Sequence, residues 1–235
     1  MKEAIVLAGG LGTRLRNVVH NVPKPLAPVN ERPFLAYLLD YLAKQGFEHV
    51  VLSTGYMHEK ISACFGKSHH GIHLSYAVEN EPLGTGGGIL NAMQYCNNDE
   101  MAVLNGDTLF RVNYNELERC FRSHRTDLAV VLRHVDDTSR YGSVALSPDG
   151  RIGTFAEKAI SSGPGLINGG IYMLRRTLLD ACGFNEIKKF SFEKDLLEPF
   201  STHLPFFGLI SNAYFIDIGV PEDYCRAQAE FPSLA

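Results

Sequence analysis

The apolar run Ala4-Ile5-Val6-Leu7 leads directly into Ala8-Gly9-Gly10-Leu11-Gly12-Thr13-Arg14-Leu15. Consecutive apolar residues bounded by a turn signal read as a buried strand, and the glycines after it make a turn whose backbone N–H groups can cradle phosphate. Arg14 supplies a cation to neutralise the charge. The pattern departs from two familiar phosphate loops. Gly10 to Leu15 lacks the last glycine of G-x-G-x-x-G, and nothing in the chain matches G-x-x-x-x-G-K-[ST]. A dehydrogenase or P-loop reading therefore loses its main support. Pro23-Lys24-Pro25-Leu26 adds a second cation, in a loop whose two prolines restrict φ and lower the entropy cost of holding it in place.

Strand and helix signals then alternate. Phe34, Leu35, Tyr37, Leu38, Tyr41 and Leu42 recur at helical spacing behind Pro33, and Gly46 offers a stop. Val50-Val51-Leu52 reads as a second buried strand and Glu59 to Phe65 as a short helix. Ile72 to Val78 reads as a third strand, with Ile72, Leu74, Tyr76 and Val78 on one face. Met101-Ala102-Val103-Leu104 delivers Asn105-Gly106-Asp107 at its carboxyl end, where open α/β sheets bind ligands, so Asp107 is expected near Gly10 and Arg14. From Asp127 the chain is strand-rich, with Leu128 to Arg133, Ser143 to Leu146, Ile152 to Phe155 and Ile167 to Leu174. Phe192 to Glu198 is expected to form a helix capped by Ser191 and stopped by Pro199. Tyr214-Phe215-Ile216 is expected to be a strand carrying Asp217, and Glu222 to Ala229 a closing helix. The alternation predicts an α/β, Rossmann-like fold whose mixed, mostly parallel sheet is covered by helices. A chain of 235 residues, 45% of them hydrophobic, suits one such domain over residues 1–235.

The formal charge of −4 argues against a general nucleic-acid or anionic-membrane surface, which would need excess Lys and Arg. The run Ala4 to Ala8 is too short for a signal segment, and no apolar stretch approaches the ~20 residues that span a bilayer, so a cytoplasmic location is expected. Cys64, Cys96, Cys120, Cys182 and Cys225 are widely spaced without C-x-x-C and read as buried free thiols. His69, His70 and His73 lack metal-ligand spacing and read as exposed loop residues.

The loop Gly9 to Leu15 and Pro23 to Leu26 are followed by Glu79, Pro82-Leu83-Gly84-Thr85-Gly86-Gly87, Asn105-Gly106-Asp107 and Tyr141-Gly142. Glu157-Lys158, Asn168-Gly169-Gly170 and Asp217-Ile218-Gly219 complete the set. Together these resemble the signature of the sugar-1-phosphate nucleotidyltransferases over nearly the whole chain. Within that family the likeness is greatest to members that guanylylate D-glycero-α-D-manno-heptose 1-phosphate, and next to those that uridylylate N-acetylmuramic acid 1-phosphate. The resemblance implies Mg²⁺-dependent transfer of a nucleotidyl group from a nucleoside triphosphate to a sugar 1-phosphate, with release of pyrophosphate. It also implies a GT-A-like fold without the C-terminal β-helix of larger relatives. Residues 1–125 or so would form the nucleotide-binding half and the remainder the sugar-phosphate-binding half, in a monomer or a homo-oligomer.

Transfer between two polyanions is governed by positioning and charge neutralisation, with little need for a protein nucleophile. Arg14, Lys24 and Asp107 are the candidate catalytic residues, Arg14 lying on the β and γ phosphates and Lys24 bridging the reacting ones. Asp107 and Asp217 are the candidate Mg²⁺ ligands, as hard oxygen donors. The resemblance assigns nucleotide binding also to Leu7, Ala8, Gly9, Gly10, Gly12, Thr13, Glu79, Pro82, Gly84, Thr85, Asn105 and Gly106. The glycines Gly84 to Gly88 precede a helix read from Ile89 to Met93, so their N–H groups are expected to meet a base or ribose. Gly142, Glu157, Lys158 and Asn168 are the sugar-phosphate candidates. Gly142 would allow close backbone approach, Glu157 and Asn168 would meet hydroxyls, and Lys158 would hold the phosphate.

Glu79 falls where the resembling family reads the Watson–Crick edge. A carboxylate accepts both N1–H and N2–H₂ of guanine but only N3–H of uracil or thymine, which ranks GTP first, UTP or dTTP next and ATP last. The other readings are backbone selection of the base near Gly84 with Glu79 in solvent, a uridylyl- or thymidylyltransferase of a hexose or N-acetylmuramic acid 1-phosphate, transfer to a different phosphorylated alcohol, and an inactive regulatory subunit. Retention of Arg14, Lys24, Asp107 and Asp217 together speaks against the last.

Overall fold

Strands with unbroken apolar runs need cover on both faces, and they take the centre of the sheet. The computed structural model describes residues 2–10, 22–157 and 162–231. In it Glu100–Asn105, Glu3–Leu7, His49–Thr54 and Ile72–Val78 lie parallel, in that order. Ala4, Val6, Val50, Leu52, Ala102 and Leu104 face one core with Phe34, Leu35, Leu38, Leu39 and Leu42 of the helix Phe34–Lys44. Ile5, Val51, Met101 and Val103 face the other core with Ile89, Ala92 and Met93 of the helix Gly84–Met93. The α/β reading holds. Among the described residues the sheet has ten strands. The strand-rich second half adds Gly165–Arg175 antiparallel to Glu100–Asn105, and then Ser143–Leu146, Ile152–Ala156, Leu128–Val135 and Phe207–Ile210. No described helix is long and apolar enough to cross a membrane.

The structure contains elements that the pattern does not predict. The short strand Thr108–Phe110 pairs antiparallel with Phe215–Asp217, and Pro28–Val29 pairs with Arg32–Pro33. The helix Tyr114–Ser123 is capped by Asn113, whose side chain accepts from the Asn115 N–H at 3.0 Å. The helix expected from Ile89 begins at Gly84. Its glycines press against residues 188–190, because a β-carbon at Gly86 would lie 2.0 Å from the Phe190 ring and one at Gly87 2.4 Å from the Lys188 carbonyl. Ser191 caps the segment after Phe190 as expected, accepting the Lys194 N–H at 3.2 Å. Phe192–Leu197 is, however, a π-helix, and the chain runs on through Pro199 as Glu198–Phe200. The proline falls in the first turn of that last segment, where its missing N–H costs little.

Two further expectations are corrected. None of the cysteines is buried: Cys64 and Cys225 are exposed and Cys96, Cys120 and Cys182 half-buried, since they fall on outward sides and ends of helices. His69 and His73 lie in the strands Ser68–His69 and Ile72–Val78 rather than in a loop, and His69 is half-buried with Nε2 2.7 Å from Oδ1 of Asp40.

Glu3 anchors the head of the first strand. Only 2% exposed, it accepts hydrogen bonds from the backbone and side-chain N–H groups of Asn97 and Asn98 and pairs with His49. Burial pushes its carboxyl up, but these partners outweigh that and hold it below the ordinary glutamate value. A depressed pKa contributes stability that is present above the unfolded-state value and lost as pH falls through the folded-state value. Glu3→Gln is therefore expected to cost roughly 2–3 kcal/mol near neutrality. The gap from wild type should narrow in acid, which urea denaturation at neutral pH and at about pH 3–4 measures.

Candidate active site

Asp107 and Asp217 are brought together by the two-stranded ribbon. Asp217 stands opposite Thr108, and the Ile218 N–H donates to the Asp107 carbonyl at 3.0 Å. Lys24 begins the 3-10 turn Lys24–Leu26. Its ammonium forms an ion pair with Asp107 and lies 3.9 Å from Oδ1 of Asp217. The lysine side chain is 11% exposed and the two aspartates 34% and 29%, so one sequestered cation faces two carboxylates that remain open to solvent. A β-carbon at Gly219 would lie 2.8 Å from Oδ1 of Asp217 and 3.1 Å from Nζ of Lys24, so any side chain there would displace the ends of both charged groups.

Asp107 also lines a cavity of about 300 Å³ with Leu7, Gly9, Gly10, Glu79, Pro82, Gly84, Thr85 and Asn105. These nucleotide-binding candidates, far apart in sequence, meet beyond the carboxyl ends of the parallel strands. Ala8 and Gly106 stand behind the lining: the Ala8 N–H donates to the Ser53 carbonyl at 2.8 Å and the Gly106 N–H to the Leu7 carbonyl at 2.9 Å. Gly12, Thr13, Arg14 and Lys158 lie outside the described residues. A second cavity of about 310 Å³ shares Gly9, Glu79 and Pro82 and is completed by Gly55, Tyr56, His58, Val78 and Asn80. The only sequence signal for Tyr56 and His58 is their position just past a buried strand.

Glu79 stands between the cavities with its carboxylate turned onto the protein. Oε1 accepts from the Ser53 hydroxyl at 2.8 Å and Oε2 from the Leu83 N–H at 3.0 Å. The group expected to read a base edge thus braces the turn from Glu79 to Leu83. At the glycine-rich helix start the Gly86 N–H is taken by the Phe190 carbonyl at 3.1 Å, while Gly84 and Thr85 line the first cavity.

On the sugar side, Gly142 packs against a neighbouring strand, and its β-carbon would meet the Ala156 carbonyl at 2.3 Å. Glu157 follows Ile152–Ala156 and is ion-paired with Lys194 at 3.2 Å. Asn168 stands at a bulge in Gly165–Arg175. Gly170, at φ +69°, lets that strand press on the first cavity, since a β-carbon there would lie 2.5 Å from Nδ2 of Asn105. Sequence reasoning missed Lys194, Tyr172 and Glu193, which lie in apolar or charged runs with no motif.

Mg²⁺ typically takes one or two carboxylates together with phosphate oxygens and water. Asp107 and Asp217 fit that donor set, and the ammonium already held between them shows that the place favours positive charge. Among the described residues, three or more His, Cys, Asp or Glu converge only at Asp40, His69 and His70, where Asp40 is also held by Arg32 at 2.6 Å.

Residues 3–233 match the nucleotidyl transferase family. The chain belongs to that family. It is 46% identical over 228 residues to the D-glycero-alpha-D-manno-heptose 1-phosphate guanylyltransferase of Aneurinibacillus thermoaerophilus, covering 97% of each chain. It is 41% identical over 222 residues to the enzyme of that name from Campylobacter jejuni, covering 94% of this chain and 96% of that one. HddC from Yersinia pseudotuberculosis complexed with GMP-PN shares the fold at a TM-score of 0.85 and 38% identity, over 98% of this chain and 100% of that one.

In this nucleotidyl transferase the two anchors on Glu79 make a prediction about the base. Glu79→Ala releases the Ser53 hydroxyl and the Leu83 N–H together. It is expected to raise KM by roughly tenfold for GTP and comparably for the other triphosphates. Steady-state competition among the four triphosphates checks this. A loss confined to GTP would put the carboxylate on the base instead.

Proposed function

We infer that this protein is a sugar-1-phosphate guanylyltransferase that converts GTP and D-glycero-α-D-manno-heptose 1-phosphate into the GDP-sugar and pyrophosphate, with Mg²⁺, in the cytoplasm. The observation that carries the reading is the meeting of Lys24, Asp107 and Asp217 at the edge of a cavity lined by Gly9 and Gly10. The choice of guanine and heptose draws on the extent of similarity to the two heptose 1-phosphate guanylyltransferases.

The chemistry asks little covalent participation of the chain. An oxygen of the sugar phosphate attacks the α-phosphorus of GTP, and the bond from that phosphorus to the bridging oxygen breaks. Pyrophosphate leaves with the electron pair. The attacking oxygen is already anionic, so neither a protein nucleophile nor a general base is required. Lys24 stabilises the charge that develops on the α-phosphoryl oxygens, and its near-complete burial keeps it oriented for that task. Arg14 is assigned to the β and γ phosphates and Lys158 to the sugar phosphate, while Glu157 and Asn168 receive sugar hydroxyls. Mg²⁺, when bound, adds neutralisation of the triphosphate at Asp107 and Asp217. The glycine loop and the turn from Pro82 to Gly84 hold the nucleoside.

Pyrophosphate release from GTP and D-glycero-α-D-manno-heptose 1-phosphate, run against UTP, dTTP and ATP and against hexose 1-phosphates, tests the assignment. GTP with the heptose phosphate is the expected best pair, and faster turnover with UTP or with a hexose phosphate would overturn it. Asp107→Asn and Asp217→Asn should each lower kcat by roughly 10²-fold or more with little change in melting temperature. Lys24→Ala should lower kcat more than it weakens GTP binding. Near-wild-type turnover in both aspartate variants would remove the metal assignment.

A further inference from the structure

We propose that Glu193 is a positioning residue that sets the Asn168 amide for the sugar through the hydroxyl of Tyr172, while Thr85 holds Glu193 from the nucleotide side. The proposal rests on the sugar 1-phosphate reading above. Glu193 is not among the residues lining the nucleotide cavities and follows no motif, yet its carboxylate joins the two halves of the site. Oε2 accepts from the Thr85 hydroxyl at 2.5 Å and from the Ser191 hydroxyl at 3.1 Å, and Oε1 accepts from the Tyr172 hydroxyl at 3.3 Å. Tyr172 in turn accepts from Nδ2 of Asn168 at 2.6 Å, and Oδ1 of Asn168 accepts from the Gly170 N–H at 3.0 Å.

The polarity of this chain runs one way. An ionised carboxylate only accepts, so each hydroxyl aimed at it must donate its single proton. The Tyr172 oxygen is then left as an acceptor and fixes the NH₂ end of Asn168 towards itself. Gly170 fixes the C=O end. One N–H and one lone pair of the Asn168 amide remain, in a defined orientation, for sugar hydroxyls. Tyr172 is fully buried, with its ring against Phe192 at 5.1 Å between centroids. Burial, with Glu193 beside it, pushes its hydroxyl well above the ordinary tyrosine pKa, so the proton stays in place. Thr85 is bound on both sides, donating to Glu193 and accepting the Phe192 N–H at 2.9 Å, which ties a wall of the nucleotide cavity to the same carboxylate. The π-helix Phe192–Leu197 begins here and also presents Lys194 to Glu157. Two consecutive side chains at its start thus face the site, Glu193 on Tyr172 and Thr85 and Lys194 on Glu157, in keeping with the frequent placement of π-turns at functional sites.

Glu193→Gln tests the relay, because it keeps volume but introduces an N–H pair where only acceptors fit. With wild type active, the variant is expected to raise KM for the sugar 1-phosphate about tenfold, with kcat and KM for GTP moving less than about threefold. Placed in a Tyr172→Phe background, the same substitution should add less than about twofold, since effects that pass through one hydroxyl are not additive. An unchanged sugar KM in Glu193→Gln, or an equal cost in both backgrounds, overturns the proposal. If Glu193→Gln fails to fold, Tyr172→Phe alone decides: a raised sugar KM at constant GTP KM supports the relay and an unchanged one overturns it. If wild type releases no pyrophosphate from GTP with any sugar 1-phosphate, the functional reading itself fails and the relay falls with it.

Discussion

The structure depends first on the burial of its central strands on both faces. Ile5, Val51 and Val103 face one core while Ala4, Val50 and Ala102 face the other, each with no exposure at all. Strands enclosed in this way can carry polar chemistry only where they end. Leu7, Val78 and Asn105 are such ends, and the cavities open beside them. Gly9 and Gly10, the Glu79 turn and Asp107 thus become neighbours because burial of the strands on both faces leaves polar groups only at their ends.

Charge is handled within that frame. A lysine ammonium with two carboxylates carries net negative charge in a partly enclosed place, and such a group is stable only if its charges compensate one another or stay accessible to water and counter-ions. Both conditions are met, with the lysine enclosed and the aspartates half open. The same arrangement suits a reaction in which highly charged phosphates arrive and leave, since the protein's charges are already oriented before they do.

The segment from Lys188 to Leu197 is the less obvious half of the design. It lies against the glycine-rich helix start so closely that Gly86 and Gly87 have no room for a β-carbon. From there its side chains reach Thr85, Tyr172 and Glu157. A run of glycines that looks made for a ligand is thereby explained, in large part, by packing of the chain on itself.

Strand and helix locations were legible in the sequence wherever periodicity was strong, as in Ile72–Val78 and Phe34–Lys44, because burial selects apolar residues at a fixed spacing. Candidate residues were legible too, Lys24 and Asp107 from their place after buried strands and in restricted loops, and Glu79, Asn168 and Asp217 from the resemblance to the sugar-1-phosphate nucleotidyltransferases; the structure brings Lys24, Asp107 and Asp217 together and puts Gly9, Glu79 and Asp107 on one cavity. Orientation was not legible. That Glu79 turns inward to Ser53 and Leu83, that Thr108–Phe110 pairs with Phe215–Asp217 to set two aspartates side by side, and that Glu193 reaches both Thr85 and Tyr172 all follow from contacts between distant segments. The linear pattern records only which side of an element is buried. Buried strands, the kind of fold and the inventory of reactive groups can be read along the chain, since these depend on local composition and period. Which groups touch, and which way each hydrogen bond runs, emerges from the packed fold, because pairing register and packing depend on many weak contacts acting at once.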